Sequence, residues 1–268
     1  MATVEEVANR QSTIVALTQK YGRSNVSDLA AEFNVTPETI RRDLKALEQR
    51  GHIRRVHGGA VIDAHAHRTD LLAIDEEDSG LPLHQVQRRK QAIAEAAMHL
   101  IPGPQASMFI DAGSTTEAFA NVLARYYVGQ QWVVVTNSPN VARTLVSAGV
   151  PEVTILGGVV KGQTQAVVGP RAVNALQLLR ADVAFMGTSG LTTDDGLTTS
   201  DPREAAVKTA MIERCRTAIV LCDSTKIGKS STVTFAPLSK VHVAVTDRFA
   251  PADFTSKLKP FHTKVVIS

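Results

Sequence analysis

The sequence of 268 residues has few aromatic side chains, few cysteines and no long apolar segment. Aromatic residues make up 4% of the chain, which argues against a protein that binds single strands by stacking bases on aromatic rings. Cys215 and Cys222 are the only cysteines, so a disulfide-rich secreted fold is excluded and reduced thiols are expected. No apolar run approaches the about 18 residues of a membrane-spanning helix. We therefore expect a globular cytoplasmic protein without a membrane segment.

Charge is distributed unevenly along the chain. Residues 61–85 contain one arginine but six acidic residues, four of them in the run 75–78, whereas the flanking parts are slightly basic. A short acidic segment followed by Ser-Gly and Leu-Pro is typical of an exposed linker. We predict one domain over residues 1–62, a linker over 63–86 and a second domain over 87–268.

Three helices are predicted in the first domain. The first lies near residues 8–21, and the second begins with Ser27 as its N-cap. Thr36 is a suitable N-cap for the third helix, because Pro37 then occupies the first helical position, where its missing N–H costs nothing. This helix ends near Gln49, and its apolar stripe consists of Ile40, Leu44 and Leu47.

The apolar stripe turns Arg41, Arg42 and Lys45 outward. Two short helices, a tight turn and a third helix with a basic outer face are typical of a helix-turn-helix that reads the major groove. The following segment, 52–62, predicts a hairpin with its turn at Gly58-Gly59, which would serve as a wing. A solvated basic helix and hairpin without any partner would show the same periodicity, so this pattern alone leaves both interpretations open.

The segments 35–44 (VTPETIRRDL) and 55–60 (RVHGGA), with Leu47 and Gly51 between them, resemble the signature of DeoR-type bacterial transcriptional regulators. The resemblance implies a winged helix-turn-helix that binds double-stranded operator DNA, with Arg41 and Arg42 at the family's paired arginines. The residues expected to contact DNA are Thr36, Thr39, Arg41, Arg42, Lys45, Arg54, Arg55 and His57.

The second domain alternates short apolar runs with helical stretches. Continuous apolar runs favour strands that are buried on both faces, so this order predicts an α/β domain with a mainly parallel sheet. The predicted strands are 108–110, 132–135, 153–156, 183–186, 218–221 and 241–245. The predicted helices are 88–100, 115–125, 138–148, 171–179 and 202–215.

Small and hydroxylated residues follow several of these strands, where ligands bind in such sheets. Ser114-Thr115-Thr116 begins a helix whose unpaired amides favour an anion. With Lys161 or Lys226 nearby, we expect this anion to be a phosphate. Two explanations need no ligand. Ser114 and Glu117 fit a capping box, as do Asp201 and Glu204, and Glu204 with Lys208 fits a helical i, i+4 ion pair.

The DeoR resemblance continues through this half, at 111–116 (DAGSTT), 135–138 (VTNS), 156–158 (LGG), 181–190 (ADVAFMGTSG) and the spaced pairs Glu204/Lys208 and Asp223/Lys226. It implies a fold similar to ribose-phosphate isomerases, a sensor of phosphorylated sugars and a repressor. We also expect a homo-oligomer, dimeric or tetrameric, because one small reading head gives limited affinity and specificity. The effector-binding residues carried over are Asp111, Gly113, Ser114, Thr115, Thr116, Thr136, Asn137, Gly157, Gly158, Gly187, Gly190, Glu204, Lys208, Asp223 and Lys226.

Other chemistries are disfavoured, and one alternative function stays open. Gly228-Lys229-Ser230 mimics the end of a phosphate loop, but Asp223 stands where the motif needs glycine. No dinucleotide fingerprint follows a strand, and the linker cluster His57, Asp63, His65, His67 and Asp70 lacks organised metal-ligand spacing. We therefore expect no metal and no cofactor. The alternative is a sugar-phosphate isomerase-like enzyme with a DNA-binding head, whose acid–base carboxylates would be Asp111, Glu204 and Asp223 beside Lys208 or Lys226.

Overall fold

The computed structural model describes residues 4–21, 23–49, 53–56, 58–61, 83–162 and 164–268. They fall into two units, Met1–Ile74 and Asp75–Ser268. Residues 62–82, with most of the predicted linker and its acidic run, lie outside the described residues. Within the described part of the chain, no helix is both long enough and apolar enough to cross a membrane.

The first unit contains three helices and a three-stranded antiparallel sheet among its described residues. The elements are α1 (Val4–Tyr21), β1 (Arg23–Asn25), α2 (Val26–Glu32), α3 (Pro37–Gln49), β2 (Arg54–Val56) and β3 (Gly59–Val61). The strand order is β1-β3-β2, so β2 and β3 form the predicted wing. The core of this unit includes Ile14, Leu29, Ile40, Leu44 and Leu47. The predicted winged helix-turn-helix is confirmed.

Two local predictions for this unit are wrong. Helix α2 begins at Val26 with Asn25 at the N-cap position, so Ser27 lies inside the first turn rather than capping it. The cause is β1, a short strand that the sequence pattern does not predict and that pairs with β3. Gly59 belongs to β3 rather than to the turn because it pairs with Asn25 of β1. A Cβ at this position would lie 2.0 Å from the Ser24 carbonyl oxygen, so the pairing requires a glycine.

The second unit is built around a seven-stranded parallel sheet of order β15-β14-β12-β9-β4-β5-β6. Its strands are β4 (Ser107–Ile110), β5 (Val133–Thr136), β6 (Glu152–Ile155), β9 (Ala181–Gly187), β12 (Cys215–Leu221), β14 (Val243–Thr246) and β15 (Lys264–Ile267). The helices are α4 (Leu83–Met98), α5 (Ser114–Tyr126), α6 (Pro139–Ser147), α7 (Pro170–Gln177), α8 (Pro202–Glu213) and α9 (Phe254–Leu258).

Helices cover both faces of this sheet, which explains why its strands are apolar on both sides. On one face, Ile93 of α4, Phe119 of α5 and Leu145 of α6 are buried in one cluster. On the other face, Leu176 of α7 and Met211 of α8 are buried in a second cluster. The predicted α/β domain with a mainly parallel sheet is confirmed.

Two smaller sheets and one large-sheet strand lie outside the predicted set. β7 (Val159–Val160) pairs with β8 (Val167–Val168), and β10 (Gly190–Thr192), β11 (Gly196–Thr199) and β13 (Val233–Ala236) form an antiparallel sheet. β15 is an edge strand of the large sheet that the predicted set does not include. Helix α4 begins at Leu83, so residues 83–86 of the expected linker are helical.

The strand order reverses between β4 and β9. From β4 the chain proceeds to β5 and β6 on one side, and from β9 to β12, β14 and β15 on the other. In parallel α/β sheets the crevice at the carboxyl ends of the strands flanking such a switch is the usual ligand site. Asp111 follows β4, and Gly187 ends β9.

Candidate functional site

The outer face of α3 is basic. Arg41, Arg42 and Lys45 are exposed, as the helical period predicts. The Arg41 guanidinium lies 3.1 Å from the Glu38 carboxylate, and both side chains are more than half exposed. Surface ion pairs of this kind contribute little to stability, so the contact with Glu38 does not fix the position of Arg41 strongly. The exposure of all three cations is consistent with the predicted contacts to base edges and phosphates, which stay predictions.

Thr36 and Thr39 lie at the N-terminal end of α3. The Thr36 Oγ1 accepts a hydrogen bond of 3.3 Å from the Thr39 backbone N–H and lies 2.9 Å from the Thr39 hydroxyl. The predicted N-cap role of Thr36 is therefore confirmed. In helix-turn-helix proteins this end of the recognition helix contacts the bases, which keeps both threonines candidates for DNA contact.

Asp43, on the inner side of α3, connects this helix to α1. Its carboxylate accepts hydrogen bonds from Arg10 Nε at 2.7 Å and from Gln11 Nε2 at 2.9 Å, and the side chain is buried. Sequence reasoning missed this residue because periodicity does not reveal a partner on another helix. The available signal was an acidic residue on the apolar stripe between Ile40 and Leu44.

The wing is connected to α3 through Glu48. The Glu48 Oε1 accepts a hydrogen bond of 2.9 Å from the Arg55 backbone N–H, and its Oε2 lies 3.9 Å from the Arg55 guanidinium. Arg55 is exposed, as its predicted contact with DNA requires. Arg54 is part of β2, and His57 lies outside the described residues.

Asp111 and Lys208 meet at the switch point of the large sheet. The Lys208 ammonium donates to Asp111 Oδ2 and, at 3.0 Å, to the Gly187 carbonyl oxygen. The Gly187 N–H donates to the same Asp111 oxygen at 3.1 Å. Because Lys208 comes from α8, this buried cluster joins one helix to the ends of β4 and β9.

The second oxygen of the Asp111 carboxylate, Oδ1, is buried and has no hydrogen-bond partner among the described residues. Burial raises the pKa of this carboxyl group above its ordinary value, although the Lys208 ammonium acts in the opposite direction. A buried acceptor without a partner is costly in free energy. Asp111 Oδ1 is therefore placed to accept a hydrogen bond from a ligand hydroxyl.

Helix α5 begins next to this cluster without a side-chain cap. Gly113 occupies the N-cap position, so Ser114 is the first helical residue. Its hydroxyl accepts a hydrogen bond of 2.7 Å from the Lys90 ammonium, while the Glu117 carboxylate accepts one of 3.0 Å from Asn140. The capping box predicted for Ser114 and Glu117 is therefore wrong. In the part of the chain that the structure describes, Gly113 gives the first amides of α5 no side-chain cap, which suits an anion.

Other predicted site residues are fixed in the loops after β4 and β5. Thr115 and Thr116 are buried, and the Thr116 hydroxyl donates to the Gly113 carbonyl oxygen at 2.8 Å. Asn137 Oδ1 accepts a hydrogen bond of 2.8 Å from the Ala112 N–H. Thr136 is also buried, and its Oγ1 accepts a hydrogen bond from the backbone N–H of Ser138, the N-cap residue of α6. These contacts bring the two loops together.

Glu204 lies near the cluster but is bound to other groups. Its carboxylate accepts hydrogen bonds from Thr164 at 2.6 Å and Thr199 at 3.3 Å, and lies 2.9 Å from the Lys161 ammonium. Burial of Glu204 works against its charge, but the hydrogen bond from Thr164 together with the Lys161 and Lys208 ammonium groups lowers its pKa below the ordinary value.

The predicted N-cap role of Asp201 is confirmed, because its carboxylate accepts from the Arg203 and Glu204 backbone N–H groups. The expected reciprocal bond of a capping box is replaced by the contacts of Glu204 just described. In the same way, the Lys208 ammonium of the expected i, i+4 pair binds Asp111.

The remaining predicted residues make contacts within their own segments of the second unit. Asp223 caps the short 3-10 helix Ser224–Lys226 by accepting from the Thr225 N–H at 2.9 Å, and Lys226 is buried. Gly190, in β10, is buried and its carbonyl oxygen accepts from the Thr188 hydroxyl at 2.7 Å.

The structure thus brings Asp111, Gly187 and Lys208 into direct contact and places Asn137 on the adjoining loop. The Asp223 carboxylate instead binds Thr225 of its own loop. Gly157 and Gly158 are exposed beyond the end of β6.

Comparison with known proteins identifies both units. The family model described as the DeoR-like helix-turn-helix domain matches residues 10–66, and the model described as the DeoR C terminal sensor domain matches residues 85–248. Both parts of the signature found in the sequence are therefore covered by matches to one family.

Relatives that match nearly the whole chain are also named as transcriptional regulators or repressors. The chain is 33% identical over 259 residues to the HTH-type transcriptional regulator GlpR of Haloferax volcanii, covering 97% of each chain. It is 29% identical over 259 residues to the glycerol-3-phosphate regulon repressor of Escherichia coli, covering 96% of this chain and 97% of the repressor. A solved structure of ribose 5-phosphate isomerase A from Neisseria gonorrhoeae is 17% identical over 53% of each chain, with a TM-score of 0.38.

Proposed function

Because this chain belongs to the DeoR family of transcriptional regulators, we propose that it represses genes of carbohydrate metabolism. The first unit binds operator DNA, and a phosphorylated sugar bound in the second unit controls that binding. The observation that carries the first part of the proposal is the exposed basic face of α3, formed by Arg41, Arg42 and Lys45 opposite a buried apolar stripe.

One reading head contacts few base pairs, so specific binding to an operator needs at least two heads at a fixed spacing. We therefore propose a homo-oligomer, a dimer or tetramer, that acts in the cytoplasm on double-stranded DNA. Arg41 and Arg42 contribute most, because arginine binds guanine edges and phosphates through two hydrogen bonds at once.

Selection of bound duplexes from a randomised library tests this part and identifies the operator motif in the same experiment. We expect the protein to enrich one motif with two half-sites. Arg41→Ala and Arg42→Ala should each weaken binding to that motif by more than about tenfold, since each removes a contact of about 1–3 kcal/mol. Arg143→Ala, which removes an exposed cation from the second unit, is the matched control and should bind normally. Unchanged affinity in both α3 variants would refute the assignment.

The second part of the proposal rests on the chemistry collected at the switch point. The uncapped amides of α5 suit a phosphate, and the Lys90 ammonium lies on the first residue of that helix. Asp111 Oδ1 offers an acceptor that a sugar hydroxyl satisfies. A phosphorylated sugar supplies both groups in one molecule, whereas an unphosphorylated sugar lacks the anion.

A thermal-shift screen against phosphorylated sugars, each paired with its unphosphorylated parent, tests the effector. A ligand that binds only the folded state stabilises it by about 2.7 kcal/mol at a hundredfold excess over Kd. We expect one phosphorylated sugar to raise the melting temperature while its parent leaves it unchanged. If every phosphorylated sugar is silent, the effector proposal fails and the DNA-binding proposal stands.

We further propose that the site senses its ligand without converting it. A general base must be free to take a proton from the substrate. The carboxylates of Glu204 and Asp223 are bound to neighbouring groups, and the Lys208 ammonium on Asp111 Oδ2 opposes protonation of the third candidate carboxylate. Incubation with pentose and hexose phosphates should therefore leave them unchanged. Turnover that Glu204→Gln abolishes would instead support the isomerase-like alternative.

A further inference from the structure

Most of the residues proposed to bind the effector are closed off from solvent. The half-buried or exposed ones are Gly113, Ser114, Gly157 and Gly158. The buried ones are Asp111, Thr115, Thr116, Thr136, Asn137, Gly187, Gly190, Glu204, Lys208, Asp223 and Lys226. A ligand can therefore reach Asp111 only if a covering element moves.

The covering element is the β7–β8 hairpin. Ala166 and Val168 of this hairpin are buried in one apolar cluster with Ala112, the residue after Asp111. The Val167 N–H between them donates to the Asn137 carbonyl oxygen at 2.7 Å. The hairpin thus contacts the loops after both β4 and β5, which carry the proposed ligand residues.

The hairpin is closely fitted at its base. A Cβ at Gly158 would lie 2.5 Å from the Val168 carbonyl oxygen, so a glycine is needed where the two strands converge. The contacts within the hairpin include a hydrogen bond of 2.9 Å from the Lys161 N–H to the Ala166 carbonyl oxygen.

Side chains from the far part of the hairpin bind the start of α8. The Lys161 ammonium lies 2.9 Å from Glu204 and 3.2 Å from Asp201, and the Thr164 hydroxyl donates to Glu204 at 2.6 Å. The side chains of Lys161 and Glu204 are 14% and 9% exposed, so solvent screens their attraction only weakly. Burial of Lys161 disfavours its charge, but Glu204 and Asp201 outweigh that effect and raise its pKa.

Lys161, Glu204, Lys208 and Asp111 thus connect the hairpin to the switch point with charges of alternating sign. The ion pairs join Lys161 to Glu204 and Lys208 to Asp111. Glu204 also lies close enough for its charge to act on the Asp111 carboxyl group. The cations that act on the Glu204 charge are Lys161 and Lys208, with Arg203 and the Asp111 carboxyl group also within its reach, and the groups facing Lys161 are Glu204 and Asp201.

We propose that Glu204 is a positioning residue that holds the β7–β8 hairpin closed over Asp111 through Lys161 and Thr164. Ligand enters when these contacts break. This inference rests on the proposed ligand site. In it Glu204 does not bind the ligand directly, as predicted from the sequence, but controls ligand entry through the hairpin. Since the Glu204 carboxylate already binds two hairpin groups, it is not available to a ligand while the hairpin is closed.

The expected effect follows from the contacts that a substitution removes. Loss of a hydrogen bond to a charged, mostly buried group should increase the equilibrium constant for opening of the hairpin roughly tenfold or more. Lys161→Met keeps the length of the side chain but removes the ammonium. Lys161→Arg keeps the cation and should restore the closed hairpin. Glu204→Gln keeps the shape of the carboxylate without its charge.

Hydrogen exchange of the full-length protein without ligand tests the proposal, because it measures hairpin opening directly. In Lys161→Met and Glu204→Gln, peptides containing the Lys161 and Val167 amides should exchange roughly tenfold faster than in the unmodified protein. Lys161→Arg should exchange nearly as the unmodified protein does. Glu213→Gln is the control, because Glu213 is an exposed acidic residue of the same helix.

An unchanged rate in these peptides of Lys161→Met would overturn the proposal. Faster exchange spread evenly over the second unit would also overturn it, because it would show a general structural role. If Glu204→Gln does not fold, Lys161→Met and Lys161→Arg still decide the outcome. Since no ligand is present, the result does not depend on the effector screen. With a phosphorylated sugar that passes that screen, Lys161→Met should also bind it roughly tenfold faster.

Discussion

Replacement of Lys208 by methionine removes the cation from the buried cluster at the switch point. The Asp111 carboxylate would keep the Gly187 N–H as a donor but lose the ammonium that binds the same oxygen. Removing one partner of a buried ion pair leaves an uncompensated charge, which costs about 3–5 kcal/mol near neutral pH. Methionine matches the length of lysine, so lost packing contributes little.

The pH dependence of this variant has a definite sign. Burial already raises the pKa of Asp111, and loss of the Lys208 ammonium removes the main interaction that opposes this. Between its ordinary and its raised pKa the carboxyl group holds more protons when folded than when unfolded, so the free energy of unfolding decreases as pH rises. The cost of Lys208→Met should therefore be smaller near about pH 5 than near neutral pH.

Trp132 makes the measurement specific to the second unit. It is the only tryptophan of the chain and is buried, with its indole N–H 3.2 Å from the Gly103 carbonyl oxygen. Urea unfolding followed by tryptophan fluorescence therefore reports this unit alone. Lys257→Met, which breaks an exposed ion pair with Asp253, is the control and should leave the midpoint nearly unchanged.

The double variant decides whether the cost is electrostatic. Asp111→Asn combined with Lys208→Met removes both charges, so it should recover most of the stability that Lys208→Met loses. If Lys208→Met unfolds at the urea concentration of the control, the buried pair is not needed. If the double variant is less stable than Lys208→Met, the loss comes from packing rather than from an unpaired charge.

Three further predictions follow from buried or hydrogen-bonded groups. Asp43→Ala should destabilise the first unit by about 3 kcal/mol, because Arg10 loses its buried partner. Operator binding should weaken as well, although Asp43 lies on the inner side of α3. A normal melting temperature together with normal operator affinity would contradict this prediction. Hydrogen bonds from Ser107 lower the pKa of Asp182. Asp182→Ala should therefore lower the free energy of unfolding by about 1 kcal/mol near neutral pH. This difference should vanish in acid, where the carboxylate is protonated. Burial raises the pKa of Cys222 well above its ordinary value, so iodoacetamide should not modify it in the folded protein, and rapid alkylation would show that the end of β12 opens.

Local patterns predict the parts of the fold whose causes are local. Thr36 and Pro37 start α3 through a side-chain cap and a fixed backbone angle, and the spacing of Ile40, Leu44 and Leu47 determines which face is buried. The apolar runs of the large sheet are also evident in the sequence, because helices cover both of its faces.

Features that depend on distant partners are not predictable in the same way. β1 is a strand only because β3 pairs with it, and β15 only because it adds to the edge next to β14. The interpretation of Ser114 and Glu117 as a capping box depends on their spacing alone, whereas Lys90 and Asn140 determine their contacts. Tertiary partners decide such cases, and sequence spacing does not identify them.

The same distinction applies to the candidate site. The strand ends and the family resemblance indicate Asp111 and Lys208 as site residues, but not that they bind each other. Helical spacing pairs Glu204 with Lys208, and the structure instead connects Glu204 to the β7–β8 hairpin. Its role can be inferred only because the hairpin lies against Ala112.

We propose that a phosphorylated sugar in the second unit controls DNA binding by the first. Its most direct test is the affinity for the selected operator duplex, measured by fluorescence anisotropy at fixed salt with and without each sugar. A ligand shifts this affinity only if it binds the two states of the protein unequally. We predict that one phosphorylated sugar changes the operator affinity by about tenfold or more, while its unphosphorylated parent has no effect. Specific operator binding that no phosphorylated sugar alters would refute control of DNA binding by such a sugar.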